Sequence, residues 1–156
     1  MTVVQYNGNV FDSKATVICH QVNGQGVMGS GVAKEVRDRY PRVFEKYKEA
    51  CDKDLLKLGS CQVVAVDDTK TKFIANLCGQ WNFGYDGKRY TSYDAICGAL
   101  EKLAEYCERK NINSIAFPYH MSCDRGGASW KVITAMIETV FEGSDVIIEY
   151  WKYNGK

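Results

Sequence analysis

Residues 17–36, VICHQVNGQGVMGSGVAKEV, decide how the rest of this chain is interpreted. The segment opens on the β-branched pair Val17-Ile18, continues through a polar cluster, and then carries glycines at positions 24, 26, 29 and 31. An amphipathic stretch begins near Val32. A strand, a glycine-rich loop and a helix in this order bring backbone amides and a helix N-terminus up to an anion, usually a phosphate. The segment therefore predicts a phosphate-binding loop.

The spacing of these glycines excludes the two commonest phosphate loops. No Gly-Lys-Ser/Thr closes the segment, as a Walker A loop requires, and no GxGxxG fingerprint fits it. Glycine still matters here, because a Cβ atom would block the approach of a ligand and would resist a positive φ. A glycine-rich turn that binds nothing is the alternative interpretation.

Length, charge and cysteine content limit the class of protein. A chain of 156 residues suits one compact domain over residues 1–156. The formal net charge of +1, with acids and bases interspersed, predicts neither strong nucleic-acid binding nor attraction to membranes. The apolar runs are too short to span a bilayer, and the N-terminus lacks the pattern of a signal peptide. Seven cysteines, an odd number without a CxxC pair, indicate buried thiols in a cytoplasmic protein rather than disulfides or a metal site.

Strand-like and helix-like patterns alternate along the chain. They predict a three-layer α/β/α sandwich with a mainly parallel, mixed central sheet. Strands are expected at 2–6, 15–19, 59–66, 72–78, 113–117 and 146–151, and helices at 31–40, 42–51, 92–110 and 129–141. The strands 59–66 and 72–78 are expected to pair. Ligands bind outside the carboxyl ends of the strands in such sheets, so both glycine-rich loops should open on that rim.

Two blocks of sequence resemble a known family. Residues 20–33, HQVNGQGVMGSGVA, resemble the first ligand loop of the macrodomains, α/β modules that bind ADP-ribose. Residues 115–130, IAFPYHMSCDRGGASW, resemble the second loop of one branch, which includes the ADP-ribose 1″-phosphate phosphatases and the terminal ADP-ribose protein glycohydrolases. Gly8 and the segments 76–80 and 89–93 also fit, in the same order over nearly the whole chain. The resemblance implies a macrodomain-like fold.

The first loop contains the primary candidates for binding and chemistry. Amides of the segment Gly29-Ser30-Gly31-Val32, together with the helix dipole, are expected to hold a diphosphate. Asn23 offers an amide that can donate to and accept from a sugar hydroxyl, and the resemblance places it at the distal ribose. His20 ends the strand below the loop. It is either an acid–base or nucleophilic group or a buried structural histidine.

The second loop, residues 122–130, is expected to form a second amide cradle from Ser122, Cys123, Arg125, Gly126 and Gly127. Asp124 is a candidate acid–base or water-orienting residue, or else an exposed carboxylate paired with Arg125. Ser129 is a candidate N-cap of the following helix. His120, the only other histidine, follows a strand and serves as the internal control for His20.

Four features depart from the family pattern, and one of them is Asn9, where many macrodomains carry an Asp that accepts from the adenine amino group. Relatives more often carry Gly-Cys-Gly-Leu where this chain has Ser-Cys-Asp-Arg at 122–125. In the glycohydrolase relatives a catalytic Asp aligns with Gly126, and a Lys follows the strand equivalent to residues 73–78. Here residues 76–80 read NLCGQ, without a lysine. Both losses argue against a lysine-based transglycosylation mechanism.

Further candidates lie at the two ends of the ligand. By resemblance, Gly8, Asn9 and Val10 contact adenine, and Trp151 and Tyr153 lie against it; the alternative is that Trp151 closes the sheet edge. The aromatic and glycine-rich loop 79–91 contributes Gln80 as an auxiliary catalytic candidate. Such a loop could close over the distal ribose or its phosphate.

The resemblance and the residues together imply an ADP-ribose-binding enzyme. The favoured reaction is removal of phosphate from ADP-ribose 1″-phosphate, with His20 as base or nucleophile. One alternative is hydrolysis of ADP-ribosyl groups from a macromolecule, and another is a non-catalytic ADP-ribose reader. No cofactor and no metal ion are expected.

Overall fold

The computed structural model describes residues 1–153; residues 154–156, the end of the predicted domain, lie outside the described residues. The strands are β1 (Thr2–Asn7), β2 (Val17–Val22), β3 (Cys61–Ala65), β4 (Phe73–Cys78), β5 (Ser114–Pro118) and β6 (Ile147–Lys152). The helices are α1 (Gly31–Arg39), α2 (Pro41–Asp52), α3 (Tyr93–Lys110) and α4 (Trp130–Val140), and a short 3₁₀ helix, Val10–Asp12, follows β1.

The strands form one mixed sheet in the order β1-β6-β5-β2-β4-β3. All neighbouring pairs are parallel except β3 and β4, which pair antiparallel as the sequence predicts. The carboxyl ends of β1, β6, β5, β2 and β4 therefore meet on one rim. Since successive loops leave these strands at the same rim, it is where a ligand site is expected.

Helices cover both faces of this sheet, so the predicted three-layer sandwich is confirmed. On one face, α3 and α4 pack their buried leucines and isoleucines, such as Leu100 and Ile133, against β2, β4, β5 and β6. On the other face, α1 and α2 pack Val36, Val43 and Tyr47 against β2 and β4. Alternation along each strand sends neighbouring side chains to opposite cores. His20 consequently faces α1 and α2, while Gln21 faces α3.

Strand β2 is longer and begins later than the pattern 15–19 predicts, because it continues through His20, Gln21 and Val22. Register pairs these residues with Asn76, Leu77 and Cys78 of β4. The predicted end of the strand at residue 19 was wrong, because the polar side chains that follow are typical of a loop. In the structure His20 finds its polar partner on the adjacent strand, which allows it to remain in the sheet.

The helix predictions are confirmed to within a residue or two at each end. Ser92 caps α3, its hydroxyl accepting from the amide of Ala95 at 3.2 Å, and Pro41 occupies the first turn of α2. Ser129 precedes α4, but its side chain makes no capping hydrogen bond. None of the helices within residues 1–153 is long and apolar enough to cross a bilayer.

Candidate active site

A cavity of about 440 Å³ opens on the rim formed by the carboxyl ends of the parallel strands. Three loops enclose it: the loop between β2 and α1, the aromatic loop between β4 and α3, and the loop between β5 and α4. Both glycine-rich loops thus open on one rim. The predicted site residues that line the cavity are His20, Asn23, Gly29, Ser30, Gly31, Val32, Gln80, Ser122, Cys123, Asp124, Arg125 and Gly126.

The N-terminus of α1 supplies a ready anion site on one wall. The first amide paired within the helix is that of Lys34, which donates to the carbonyl of Ser30 at 3.2 Å. The amides of Gly31, Val32 and Ala33 have no hydrogen-bond partner within residues 1–153, and Ser30 makes no side-chain cap. Gly31 adopts φ +59°, a left-handed conformation that favours glycine. These amides and the positive end of the helix dipole favour a phosphate.

Asn23 shapes the first loop from within. Its amide oxygen accepts from the amide of Gln25 at 2.9 Å and lies 2.9 Å from the hydroxyl of the fully buried Tyr47. Its amide nitrogen donates to the carbonyl of Val27 at 2.9 Å. The predicted ability to accept from a sugar hydroxyl is therefore already used inside the loop. One hydrogen of the amide nitrogen is left for a ligand.

A ladder of amides fixes the tautomer of His20. Gln62 donates to the carbonyl of Lys46 in α2 at 3.1 Å, so its oxygen accepts from the amide nitrogen of Asn76 at 3.0 Å. The oxygen of Asn76 then faces Nε2 of His20 at 2.6 Å. Because an amide oxygen only accepts, Nε2 carries the proton and Nδ1 carries the lone pair.

Burial governs the charge of this imidazole. His20 is 2% exposed, and burial lowers its pKa to about 4, while the hydrogen bond with Asn76 acts in the opposite direction. The ring is therefore neutral at pH 7. Nδ1 is buried and has no hydrogen-bond partner within residues 1–153. An unpartnered buried acceptor is costly unless a ligand or water satisfies it, and Nδ1 is the ring nitrogen of His20 that has no partner within residues 1–153.

Gln21 joins the three loops on the other side of β2. Its amide nitrogen donates to Gln80 at 2.7 Å and to Thr91 at 2.8 Å, and its oxygen accepts from the hydroxyl of Ser122 at 2.6 Å. Thr91 in turn donates to the carbonyl of Ser122 at 2.9 Å. Gln80 and Ser122 are thereby positioned by a buried network, and the sequence gives no signal for the joining role of Gln21.

The turn after β5 presents further unpaired amides to the cavity. Those of Asp124, Arg125 and Gly126 make no hydrogen bond within residues 1–153. A Cβ atom built on Gly126 would lie 2.3 Å from Oγ1 of Thr91 and 2.4 Å from the carbonyl oxygen of Ser122. No aspartate fits at this position, so its absence follows from the local packing. Position 126 therefore does not supply the carboxylate that the transglycosylation mechanism uses in the glycohydrolase relatives.

Asp124 and Cys123 line the cavity with different chemistry. The Asp124 side chain is 79% exposed and lies 3.6 Å from Nδ1 of His120. The predicted pairing with Arg125 is wrong, because the Arg125 guanidinium lies over the ring of Tyr85, 3.9 Å from its centroid. Burial, and next the charge of Asp124, raise the pKa of Cys123 to about 11. Its thiol stays protonated at neutral pH and is a poor nucleophile.

His120 and two aromatic residues are lining residues that the sequence analysis did not assign to the site. His120 lines the same cavity as His20, so it cannot serve as the internal control. Phe83 and Tyr85 of the aromatic loop also line it. The position of His120, two residues beyond the carboxyl end of β5, was the signal that pointed to the rim.

The residues expected at adenine lie outside this cavity's lining, as does Gly127. The oxygen of Asn9 accepts from the amide of Phe11 at 2.9 Å, and its amide nitrogen donates to Glu35 at 3.0 Å. Trp151 stacks on Tyr6 at 4.8 Å between ring centroids. Because β6 lies between β1 and β5, Trp151 does not close the sheet edge. Gly8, Val10 and the exposed Tyr153 share this end of the rim.

The buried histidine makes stability depend on pH. Unfolded, the imidazole takes up a proton near pH 6.5; folded, it does so only near pH 4. The unfolded state therefore binds more protons in this window, and the free energy of unfolding falls as the pH drops. We expect a loss of about 3 kcal/mol from this group between pH 7 and pH 4. Urea denaturation at each pH measures the free energy of unfolding of the wild type and of His20→Gln. The value for the wild type should fall by that amount relative to the value for the variant, and parallel pH profiles would contradict the prediction.

A family model described as Macro domain matches residues 19–137. The ADP-ribose 1″-phosphate phosphatase of Lodderomyces elongisporus is 32% identical over 149 residues, which cover 88% of this chain and 92% of that protein. The DNA ADP-ribosyl transferase–DNA ADP-ribosyl glycohydrolase fusion protein of Thermosipho africanus is 27% identical over 138 residues, which cover 81% of this chain. The match spans only 35% of the length of that fusion protein.

The fold comparison agrees with the sequence comparison. The macrodomain of Mycobacterium tuberculosis DarG superposes with a TM-score of 0.85 over 96% of this chain and 97% of its own, at 24% identity. The family match, the shared fold and the position of the cavity lead to one conclusion: the chain belongs to the macrodomain family.

Proposed function

We propose that this chain binds ADP-ribose and hydrolyses the phosphate from ADP-ribose 1″-phosphate. The observation that carries the proposal is a cavity that has unpaired amides on two walls and His20 in its lining, a residue whose buried Nδ1 has no hydrogen-bond partner within residues 1–153. A polar ligand that reaches the bottom of the cavity would satisfy this atom. The sequence similarity to an ADP-ribose 1″-phosphate phosphatase, 32% identical over most of both chains, supports the removal of phosphate as the reaction.

The two amide sets divide the ligand between them. The N-terminus of α1 suits a diphosphate, and the turn 122–127 suits the charge at the distal end. The remaining N–H of Asn23 is placed to donate to a ribose hydroxyl. The adenine lies beyond the cavity, toward Gly8 and Trp151 at the β1–β6 end of the same rim.

The chemistry of His20 depends on the substrate itself. Burial keeps the ring neutral, so Nδ1 holds a lone pair at pH 7. A phosphate dianion placed nearby favours the protonated ring and raises its pKa toward neutrality. His20 then accepts a proton from the attacking water, and Asn76 holds the ring in orientation through Nε2. Gln80, held by Gln21, is an auxiliary group for the water.

Replacement of His20 tests the reaction. His20→Ala should lower the rate of phosphate release by about 10²–10⁴-fold while ADP-ribose affinity changes little, because the lost group acts on the proton rather than on binding. His20→Gln is the matched variant, since it retains an amide that can donate to Asn76. Phosphate release and calorimetry with ADP-ribose measure the two effects. Wild-type turnover in both variants would refute the role of His20, and no binding of ADP-ribose at millimolar concentration would refute the whole proposal.

The cradle is tested at Gly29. A Cβ at this position meets only Val27, at 3.5 Å, so Gly29→Val should fold while its branched side chain blocks the amides. We expect ADP-ribose binding to weaken by about 100-fold, or about 2.7 kcal/mol. Gly98→Val in α3 is the control, because a Cβ there has open space. Gly127 is unsuitable, since it has φ +73° and a Cβ would lie 2.9 Å from Cα of Arg89. Equal affinity in both variants would place the diphosphate elsewhere.

A specific surface favours a second candidate function, the removal of ADP-ribose from a nucleic acid. The aromatic loop carries Trp81, Phe83 and Tyr85, all exposed, beside the cavity. Arg125 lies over the Tyr85 ring. Exposed aromatic rings next to cations are the platform on which bases of single-stranded nucleic acids stack. The fusion protein from Thermosipho africanus, named for a DNA ADP-ribosyl glycohydrolase, is a relative of this chain.

Variants of this platform test the second function. Phe83→Ala and Tyr85→Ala should slow the release of ADP-ribose from an ADP-ribosylated single-stranded oligonucleotide by about 10-fold each, since stacking on one base is worth about 1–3 kcal/mol. Ile147→Ala, an exposed apolar residue at the amino end of β6, is the control. Chromatography of the released ADP-ribose measures the rate. Absence of release by the wild type would refute this second function.

A further inference from the structure

His120 occupies a backbone conformation that its side chain disfavours. It adopts φ +66°, and Ser122, two residues later, adopts φ +72°. Non-glycine residues in the left-handed region are uncommon, and they concentrate at functional sites where the surrounding structure holds them. Ser122 is held by its hydrogen bonds to Gln21 and Thr91. His120 therefore stands in the cavity wall at a cost in backbone strain, which a glycine would avoid.

Aromatic packing fixes the direction of the His120 ring. The ring stacks on Tyr119 with 4.1 Å between centroids and meets the edge of Trp130 at 5.9 Å. Its Nδ1 faces the carboxylate of Asp124 at 3.6 Å. Nε2 makes no hydrogen bond within residues 1–153, and the side chain is 42% exposed. One nitrogen thus faces a carboxylate, and the other makes no hydrogen bond within residues 1–153 although its residue lines the cavity.

We propose that His120 is a second catalytic acid–base residue of this cavity, oriented by Asp124, and that it donates a proton to the leaving group. This inference rests on the proposed phosphatase function. Water adds to phosphorus while the bond from phosphorus to the 1″ oxygen breaks. The proton of the water goes to Nδ1 of His20, and the 1″ oxygen takes the proton of His120 Nε2. ADP-ribose and inorganic phosphate result, and solvent exchange returns both histidines to their starting states.

The surroundings of the two histidines suit His20 as the proton acceptor and His120 as the proton donor. His20 is buried and neutral, so it is fit to accept a proton but holds none on Nδ1 to give. His120 is 42% exposed, and the carboxylate of Asp124 lies 3.6 Å from its Nδ1. The charged groups around His120 are Asp124 and Arg125, four and five residues later in the same turn, and Lys152 of β6, whose ammonium lies 5.0 Å from the centroid of the Tyr119 ring.

His120→Asn and His120→Gly test the inference. Asparagine and glycine both tolerate the left-handed conformation, so both variants should fold. We expect kcat for ADP-ribose 1″-phosphate to fall by about 10²–10⁴-fold, with ADP-ribose affinity unchanged within about twofold. The alkaline limb of the kcat–pH profile should disappear in both variants. Added imidazole should restore part of the rate in His120→Gly, which a merely structural role would not allow.

Asn111→Gly is the matched control for the relief of strain. Asn111 also has a positive φ, +55°, but it follows α3 and lies outside the cavity, so its replacement should leave kcat unchanged. Wild-type kcat and an intact alkaline limb in His120→Asn would overturn the role of His120 while leaving the proposed function in place. An absence of phosphate release by the wild type would overturn the proposed function and this inference together.

Discussion

The hydrogen bond between Nε2 of His20 and the amide oxygen of Asn76 is the interaction on which the site depends. A histidine inside a parallel sheet must find a polar partner, since a buried unpaired imidazole would weaken the fold. The partner stands on the adjacent strand in register and is itself oriented by Gln62 and the carbonyl of Lys46. Through this ladder, the packing of α2 on the sheet determines which nitrogen of His20 carries the proton.

A second buried network, centred on Gln21, holds the loops around the cavity. It links β2 to the aromatic loop and to the turn after β5, and Gly126 accepts from the amides of Tyr90 and Thr91. Neighbouring side chains on β2 therefore serve different purposes, because the strand sends them to opposite faces. One face sets the protonation of the histidine, and the other positions the cavity walls. Changes in either network are expected to reach the site without touching a ligand.

The departures from the family pattern acquire a physical reason in the structure. An aspartate at position 126 would collide with Thr91 and Ser122, so the turn is built for glycine there. The same turn carries histidine and serine in a left-handed conformation at 120 and 122, and an exposed carboxylate at 124. Two histidines line a cavity from which the family's lysine and aspartate are missing. The proposed function therefore assigns proton transfer to the imidazoles.

The sequence by itself determined the fold class, the family and the two glycine-containing loops that line the cavity. Glycine spacing, strand–helix alternation and the order of the motifs are local signals, and they can be recognised in the sequence without the tertiary packing. Only the tertiary structure decided how polar side chains are used. The side-chain oxygen of Asn23 accepts a hydrogen bond from an amide of its own loop, the side chain of Asn9 caps a 3₁₀ helix, and His120 lines the cavity. Each of these depends on which atoms lie across a strand or a turn, and residues distant in the sequence supply those atoms. The extra length of β2 has the same cause. The polar His20 predicts a loop from the sequence alone, and only the position of Asn76 on the adjacent strand explains why it lies in the sheet.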